Sequence, residues 1–293
     1  MNLALTVIEI VAPVFLLAGI GFAWVKMGFE YRIQFVTRMA MTLSVPCLIF
    51  VALMKMEIDG QALAALSLAT VAAYGGVTVC AAAIVWALGL HRRTYLAPLI
   101  FGNTGNIGLP LALFAYGETG LGYAVVVFAI MAVWSFTFGV YLVSGHGNPL
   151  KVLQEPMVGA TLLGALFLWQ GWETPLFLTN ALELVGQMAI PLMLITLGVA
   201  VARLTPGGVG RAVWLSLIKL ALCFEVAWIA GRLFHLDPVA FGVLVVQVST
   251  PVAVTSYLLA EKYGADSDAV AGLVVVSTLT SVLALPVILA VLL

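Results

Sequence analysis

Apolar residues run along this chain in blocks of about 20, parted by short clusters of charged residues, glycine and proline. A helix of about 20 residues is what a hydrocarbon core about 30 Å thick requires. The blocks predict ten spans, near Leu3 to Val25, Phe35 to Leu53, Leu63 to Leu88, Tyr95 to Tyr116, Tyr123 to Val143, Val152 to Trp172, Ala181 to Ala202, Ala212 to Phe234, Val239 to Leu259 and Val270 to Leu292. One block is interrupted from within by Gly102-Asn103-Thr104-Gly105-Asn106-Ile107-Gly108-Leu109-Pro110. Glycine inside a helix costs about 1 kcal/mol and proline about 3 kcal/mol, so a continuous helix does not survive here. Lipid offers the freed backbone no hydrogen-bond partner, so such a break is buried in protein or lines a watery cavity, and it points to a binding site.

Composition agrees with a polytopic membrane protein. Of 293 residues, 63% are hydrophobic and only 9% charged, against about a quarter charged in soluble domains. Mean hydropathy is +1.18. The connections are short and leave no room for a soluble domain, and a net charge of −1 offers no footprint for nucleic acid. Cys47, Cys80 and Cys223 all fall within apolar blocks and read as small core residues. His146 and His235 have no second His or Cys at ligand spacing, so no metal is expected. The first block is too long for a signal-peptide core and has no cationic stretch before it, which predicts a retained span.

Basic residues sort the connections into two classes. Those after odd-numbered blocks, with flanks, carry Lys26, Arg32, Arg38, Arg92, Arg93, Lys151, Arg203, Arg211 and Lys262, whereas those after even-numbered blocks carry only Lys55 and Arg232. By the positive-inside rule the odd connections are cytoplasmic and both termini face outward. Features also echo five blocks apart. Ser44-Val45-Pro46 in the second matches Ala189-Ile190-Pro191 in the seventh, and the Gly102 to Pro110 break in the fourth matches Gln247-Val248-Ser249-Thr250-Pro251-Val252-Ala253-Val254-Thr255-Ser256-Tyr257 in the ninth. Tyr116-Gly117 and Tyr263-Gly264 close those two blocks. An odd number of spans per half makes the halves enter the membrane in opposite senses, the pattern of an inverted repeat with halves 1–146 and 147–293.

Three stretches, GNTGNIGLPL, VGQMAIPLMLITLGVAVA and STPVAVTSYLLAEKYGAD, resemble the auxin efflux carrier family in its compact bacterial form, and the resemblance covers essentially the whole chain. It implies an all-α fold of ten transmembrane helices in two inverted five-helix repeats, similar to plant auxin carriers and distantly to bile-acid sodium symporters. Helices 4 and 9 are then broken and cross at mid-membrane, with substrate beside the crossing. Helices 1, 2, 6 and 7 form a scaffold, often paired as a homodimer, and helices 3 to 5 and 8 to 10 form a transport domain that moves in elevator fashion. Bacterial members are associated with small organic anions such as malate or malonate.

Half-helix N-termini at such a site offer N–H groups to carboxylates, and half-helix C-termini offer carbonyls to cations. Asn103, Thr104, Asn106, Gln247, Ser249 and Thr250 are the side chains expected around it, with the Gly105, Pro110 and Pro251 backbone; for Thr255 and Ser256 helix packing explains as much. The resemblance singles out Asn103, although a proline commonly precedes that asparagine where this chain has Gly102. Lys219 and Glu225 sit inside the eighth block, where ionisable groups cost at least about 2.5 kcal/mol and face a cavity or a partner. Roughly 120° and 9 Å apart on a helix, they meet different neighbours. Lys219 is a candidate to neutralise a substrate carboxylate or a buried acid, and Glu225 to carry a coupling proton or hold a cation; pairing across helices or snorkelling explains each as well. Glu183, near the start of the seventh block, reads as a helix-capping acid.

These readings converge on a carrier of a small carboxylate such as malate, malonate or an auxin-like acid, in the cytoplasmic membrane among lipids, without a catalytic constellation or a cofactor. Coupling to H+ or Na+ and plain uniport all fit. A sodium-coupled symporter of the bile-acid type and a ligand sensor that moves nothing are the alternatives.

Overall fold

The computed structural model describes residues 3–56, 60–145, 155–204 and 208–293. His146, Lys151 and the expected boundary between halves lie outside them. Among the described residues the secondary structure is helical, and the β-type contact is one isolated antiparallel bridge between Gly102 and Val252. The helices are α1 (Leu3–Lys26), α2 (Ile33–Met39), α3 (Val45–Met54), α4 (Gly60–Ala87), α5 (Arg92–Ile100), α6 (Leu109–Trp134), α7 (Val140–Ser144), α8 (Pro156–Gln170), α9 (Leu176–Gln187), α10 (Ala189–Arg203), α11 (Val209–Leu233), α12 (Pro238–Val248), α13 (Val254–Tyr263) and α14 (Ser267–Leu292). Single π-helical turns at Ala40–Ser44, Thr104–Gly108 and Ser135–Gly139 join α2 to α3, lead into α6 and join α6 to α7.

Among the described residues, seven helical stretches are long and apolar enough to cross a membrane: Leu5–Lys26, Ile33–Met54, Gly60–Ala87, Thr104–Ser144, Leu176–Arg203, Val209–Leu233 and Ser267–Leu292. The stretch Thr104–Ser144 is not a single rod. At Gly117 its backbone leaves the helical region, with φ 65 and ψ −157, a conformation glycine adopts without a Cβ clash. Gly264 takes φ 68 where it closes α13, so the two Tyr–Gly pairs have left-handed glycines in common.

Prolines mark other irregularities. Pro46 follows the π turn at Ala40–Ser44, and Pro191 lies in the first turn of α10, just after the α9–α10 junction at Met188. A proline ring clashes with the carbonyl four residues back and lacks the N–H that would bond it, and a widened or interrupted turn relieves both.

The helices pack in two groups. In one, α1 lies along α10, and α3 packs on α8 and α9. Gly21 and Gly198 set the α1–α10 distance: a Cβ on Gly198 would fall on the Ala18 carbonyl, and one on Gly21 on the Ile195 carbonyl. The Tyr31 hydroxyl meets Thr196 Oγ1 at 2.8 Å, fastening the segment after α1 to α10. Glu183 is not a helix-start acid. It lies two turns into α9, and its carboxylate pairs with Lys55 at the end of α3, so a partner across helices and not a helix dipole answers its charge.

In the other group α11 lies against α4, α12 and α14, and α12 against α6. Arg93 donates to the carbonyls of Val143 and Tyr263, both at 2.8 Å, and so satisfies the open ends of α7 and α13 with one guanidinium. The short helices α5 and α12 are the most enclosed: every residue from Thr94 to Ile100 and from Gly242 to Val248 is buried. The C-terminal ends of these two helices, whose open carbonyls need partners, are thereby buried within the protein.

Candidate functional site

Between α5 and the Thr104–Gly108 turn the backbone is extended at Phe101, with φ −91 and ψ 123, and between α12 and α13 it is extended again at Ala253, with φ −66 and ψ 135. These two breaks meet. The Asn103 N–H donates to the Pro251 carbonyl at 2.7 Å and the Ala253 N–H to the Phe101 carbonyl at 3.3 Å, which makes the Gly102–Val252 bridge. The Val252 N–H is taken by Ser277 Oγ of α14 at 3.0 Å. Backbone groups that neither helix can satisfy are thus largely satisfied by the other break and by α14.

Glycine permits the close approach. A Cβ on Gly102 would coincide with the Thr250 hydroxyl, and one on Gly108 with Gln247 Oε1. Gly105 faces Met193 of α10 and Phe128 of α6, whose atoms would stand 3.0 and 3.2 Å from its Cβ. Pro110, with no N–H, sits in the first turn of α6 and so leaves the Asn106 carbonyl without its i+4 donor.

The side chains of the breaks divide into spent and free atoms. Asn103 Oδ1 accepts from the Asn106 N–H at 3.3 Å and caps the turn, while its Nδ2 has no partner. Thr104 Oγ1, Gln247 Oε1 and Ser249 Oγ are likewise buried without a partner. Gln247 Nε2 donates to the Ala124 carbonyl at 3.4 Å, and the Thr250 hydroxyl to the Gln247 carbonyl at 2.7 Å. A buried polar atom left unmatched costs about 1–3 kcal/mol, so four around one feature form a standing demand for a polar ligand or water. The free amide of Asn103 is a donor, and the free hydroxyls donate or accept.

The structure brings Asn103, Thr104, Gly105, Pro110, Gln247, Ser249, Thr250 and Pro251 together as buried groups, with Asn106 half-buried beside them. Lys219 joins them: 2% exposed, it lines a narrow cavity with Ser216, Ser249, Thr250, Pro251 and Ser281. Glu225 does not. Its side chain is exposed on the face of α11 that also carries Ala221 and Ile229. Ser277 and Ser216, the latter with an unpartnered hydroxyl, line the same cavity and escaped the sequence reading, because a serine in a membrane helix carries no signal until its neighbours are known. Among the described residues no group of three His, Cys, Asp or Glu could hold a metal ion.

Comparison with known proteins supplies the class. A family model described as membrane transport protein matches residues 6–161 and 148–289. A protein of Rhizobium meliloti (strain 1021) named "Putative malonate transporter" is 24% identical over 231 residues, 71% of this chain and 72% of that one. An uncharacterized transporter of Methanocaldococcus jannaschii is 25% identical over 197 residues, 63% of each chain. Another, of Methanothermobacter thermautotrophicus, is 25% identical over 295 residues, 95% of this chain and 96% of that one. This multi-pass membrane chain therefore belongs to the membrane transport protein family, the family of auxin efflux carriers that its motifs resemble.

Proposed function

We propose that this protein is a secondary carrier of a small organic anion, a carboxylate such as malate, malonate or an auxin-like acid, which binds beside the two joined breaks and crosses the cytoplasmic membrane by alternating access. The observation that carries this is the set of three buried, unpartnered groups able to donate, Asn103 Nδ2 and the hydroxyls of Thr104 and Ser249, gathered where two interrupted helices meet. A carboxylate accepts from the Asn103 amide and the hydroxyls, and Lys219 beside the break supplies positive charge. The relative named for malonate supports the substrate class.

On this reading the architecture is ten transmembrane helices in two inverted repeats, 1–146 and 147–293, with both termini outside. The left-handed glycines Gly117 and Gly264, the paired breaks and the proline-linked irregularities before Pro46 and Pro191 support it. Scaffold and transport domain correspond to the two packing groups, α1–α3 with α8–α10, and α4–α7 with α11–α14. Pairing of two copies through the scaffold belongs to the same proposal and rests on the family resemblance.

Uptake of labelled malonate into proteoliposomes tests the function. The wild type accumulates label under an imposed gradient, and Asn103→Ala loses roughly tenfold or more, the worth of one well-placed hydrogen bond to an anion. Equal flux in the two proteins would remove Asn103 from the site, and absence of flux for malonate, malate and auxin-like acids alike would overturn the carrier reading for these substrates.

A further inference from the structure

We infer that the cavity between the starts of α11 and α14 binds a phosphoethanolamine group, the zwitterionic head of a phosphatidylethanolamine lipid, with its phosphate on Arg211 and its ammonium on Asp266 and Asp268. The inference goes beyond the carrier reading and stands without it.

This cavity of about 470 Å³ has the size of a small-ligand pocket. It shares no lining residue with the narrow space beside the breaks: Ala212 and Leu273 line the one, and Ser216 and Ser277, a turn further along each helix, line the other. Three helices hold its walls. Tyr95 of α5 is buried, and the Asp266 N–H donates to Thr94 Oγ1 at 3.4 Å, which ties the start of α14 to α5. Gly208 and Gly210 leave open space where a Cβ would stand.

Charge decides what fits. On the α11 wall Arg211 donates to the Tyr95 hydroxyl at 3.1 Å and lies 6.0 Å from the centre of its ring, a use of one among five N–H donors. On the α14 wall Asp266 Oδ1 caps the helix by accepting from the Ala269 N–H at 3.0 Å, and Asp268 stands in the first turn. Among the described residues neither carboxylate lies within ion-pair distance of Arg211 or of any other base. Nearby bases are engaged elsewhere, Arg93 with the Val143 and Tyr263 carbonyls and Lys262 over the Tyr263 ring. Both signs of charge therefore line one cavity without closing on each other. A plain dianion such as malonate would meet two carboxylates there. A metal ion would meet the guanidinium and too few acids, since no group of three His, Cys, Asp or Glu among the described residues could hold one. A ligand with an anion at one end and an ammonium at the other suits both walls: the guanidinium takes two phosphate oxygens, and a primary ammonium gives its N–H groups to the carboxylates. A quaternary ammonium has no N–H to give.

The surroundings favour a lipid as the source of that group. Beside the cavity α11 exposes Val209, Val213, Trp214 and Leu217, with Trp214 70% exposed, as befits the level where headgroups meet acyl chains. Ala212, Ala269 and Leu273 give the cavity its apolar lining.

Thermal unfolding of the purified full-length protein in detergent tests this, with phosphatidylethanolamine, phosphatidylcholine or phosphatidylglycerol of identical acyl chains, or free phosphoethanolamine, added. Phosphatidylethanolamine is expected to raise the melting temperature by about 3 °C more than either other lipid, and free phosphoethanolamine at the same concentration to have little effect. Arg211→Gln should erase that difference, and so should Asp266→Asn with Asp268→Asn, which keeps an asparagine cap on α14. Equal stabilisation by the three lipids, or a preference for phosphatidylethanolamine that survives both variants, would overturn the inference. Free phosphoethanolamine matching the lipid would overturn the lipid as occupant. Should a variant not fold, native mass spectrometry of the wild type in an equimolar lipid mixture decides: about fivefold more phosphatidylethanolamine than phosphatidylcholine retained is expected, and equal retention would contradict the assignment.

Discussion

Gly102 and Gly108 owe their identity to side chains of the opposite break. Gly102 makes room for the Thr250 hydroxyl and Gly108 for the Gln247 amide, so the spacing of glycines in the motif is a template for another segment of chain and not only a helix breaker. Gly102→Ala is expected to wedge the breaks apart at a cost of about 1–3 kcal/mol, read as a lower melting temperature and lost uptake. Removing the hydroxyl it strikes tests the cause: Gly102→Ala with Thr250→Ala should be more stable than the sum of the single losses, and strict additivity would deny the contact. Gly105→Ala should cost much less, because its new methyl meets the movable end of Met193.

Among the elements, the break at Gly102–Pro110 was legible in sequence because glycine, asparagine and proline concentrate there, and that at Ser249–Ala253 because Thr250-Pro251 interrupts an apolar run. The bonding between them was not, since backbone pairing of segments so far apart leaves no trace in residue type. Nor were the π turns: Ser135–Gly139 joins α6 to α7 with no proline to announce it. The faces of α11 were hidden for another reason. A helix bordered by lipid on one side and protein on the other is apolar all round, so periodicity does not tell the inner face of Lys219 from the outer face of Glu225. Glu183 shows the same limit, because its partner Lys55 is far away in sequence. With Glu225 away from the breaks, Glu225→Gln is expected to leave malonate uptake within about twofold, as surface substitutions usually do. Loss of accumulation driven by a pH gradient in that variant would return Glu225 to the role of proton carrier.

For the whole molecule, one packing group is drawn tight by Gly21 and Gly198 between α1 and α10 and by Lys55 with Glu183, and the other is gathered around the buried α5 and α12. The Thr104–Gly108 turn touches α10 through Gly105 and Met193, so the free polar atoms of the breaks lie close to where the two groups meet. On the proposed carrier reading, a solute held there is passed across the membrane by movement of one group against the other. Equilibrium binding of labelled malonate to the purified protein, with no gradient and no membrane to complicate it, asks most directly whether the joined breaks hold a carboxylate. Saturable binding that excess unlabelled malonate displaces, and that Asn103→Ala weakens about tenfold while the melting temperature falls only by the few degrees that loss of the turn's cap costs, is the expected result. Binding that survives unchanged in Asn103→Ala would place the ligand elsewhere and contradict it.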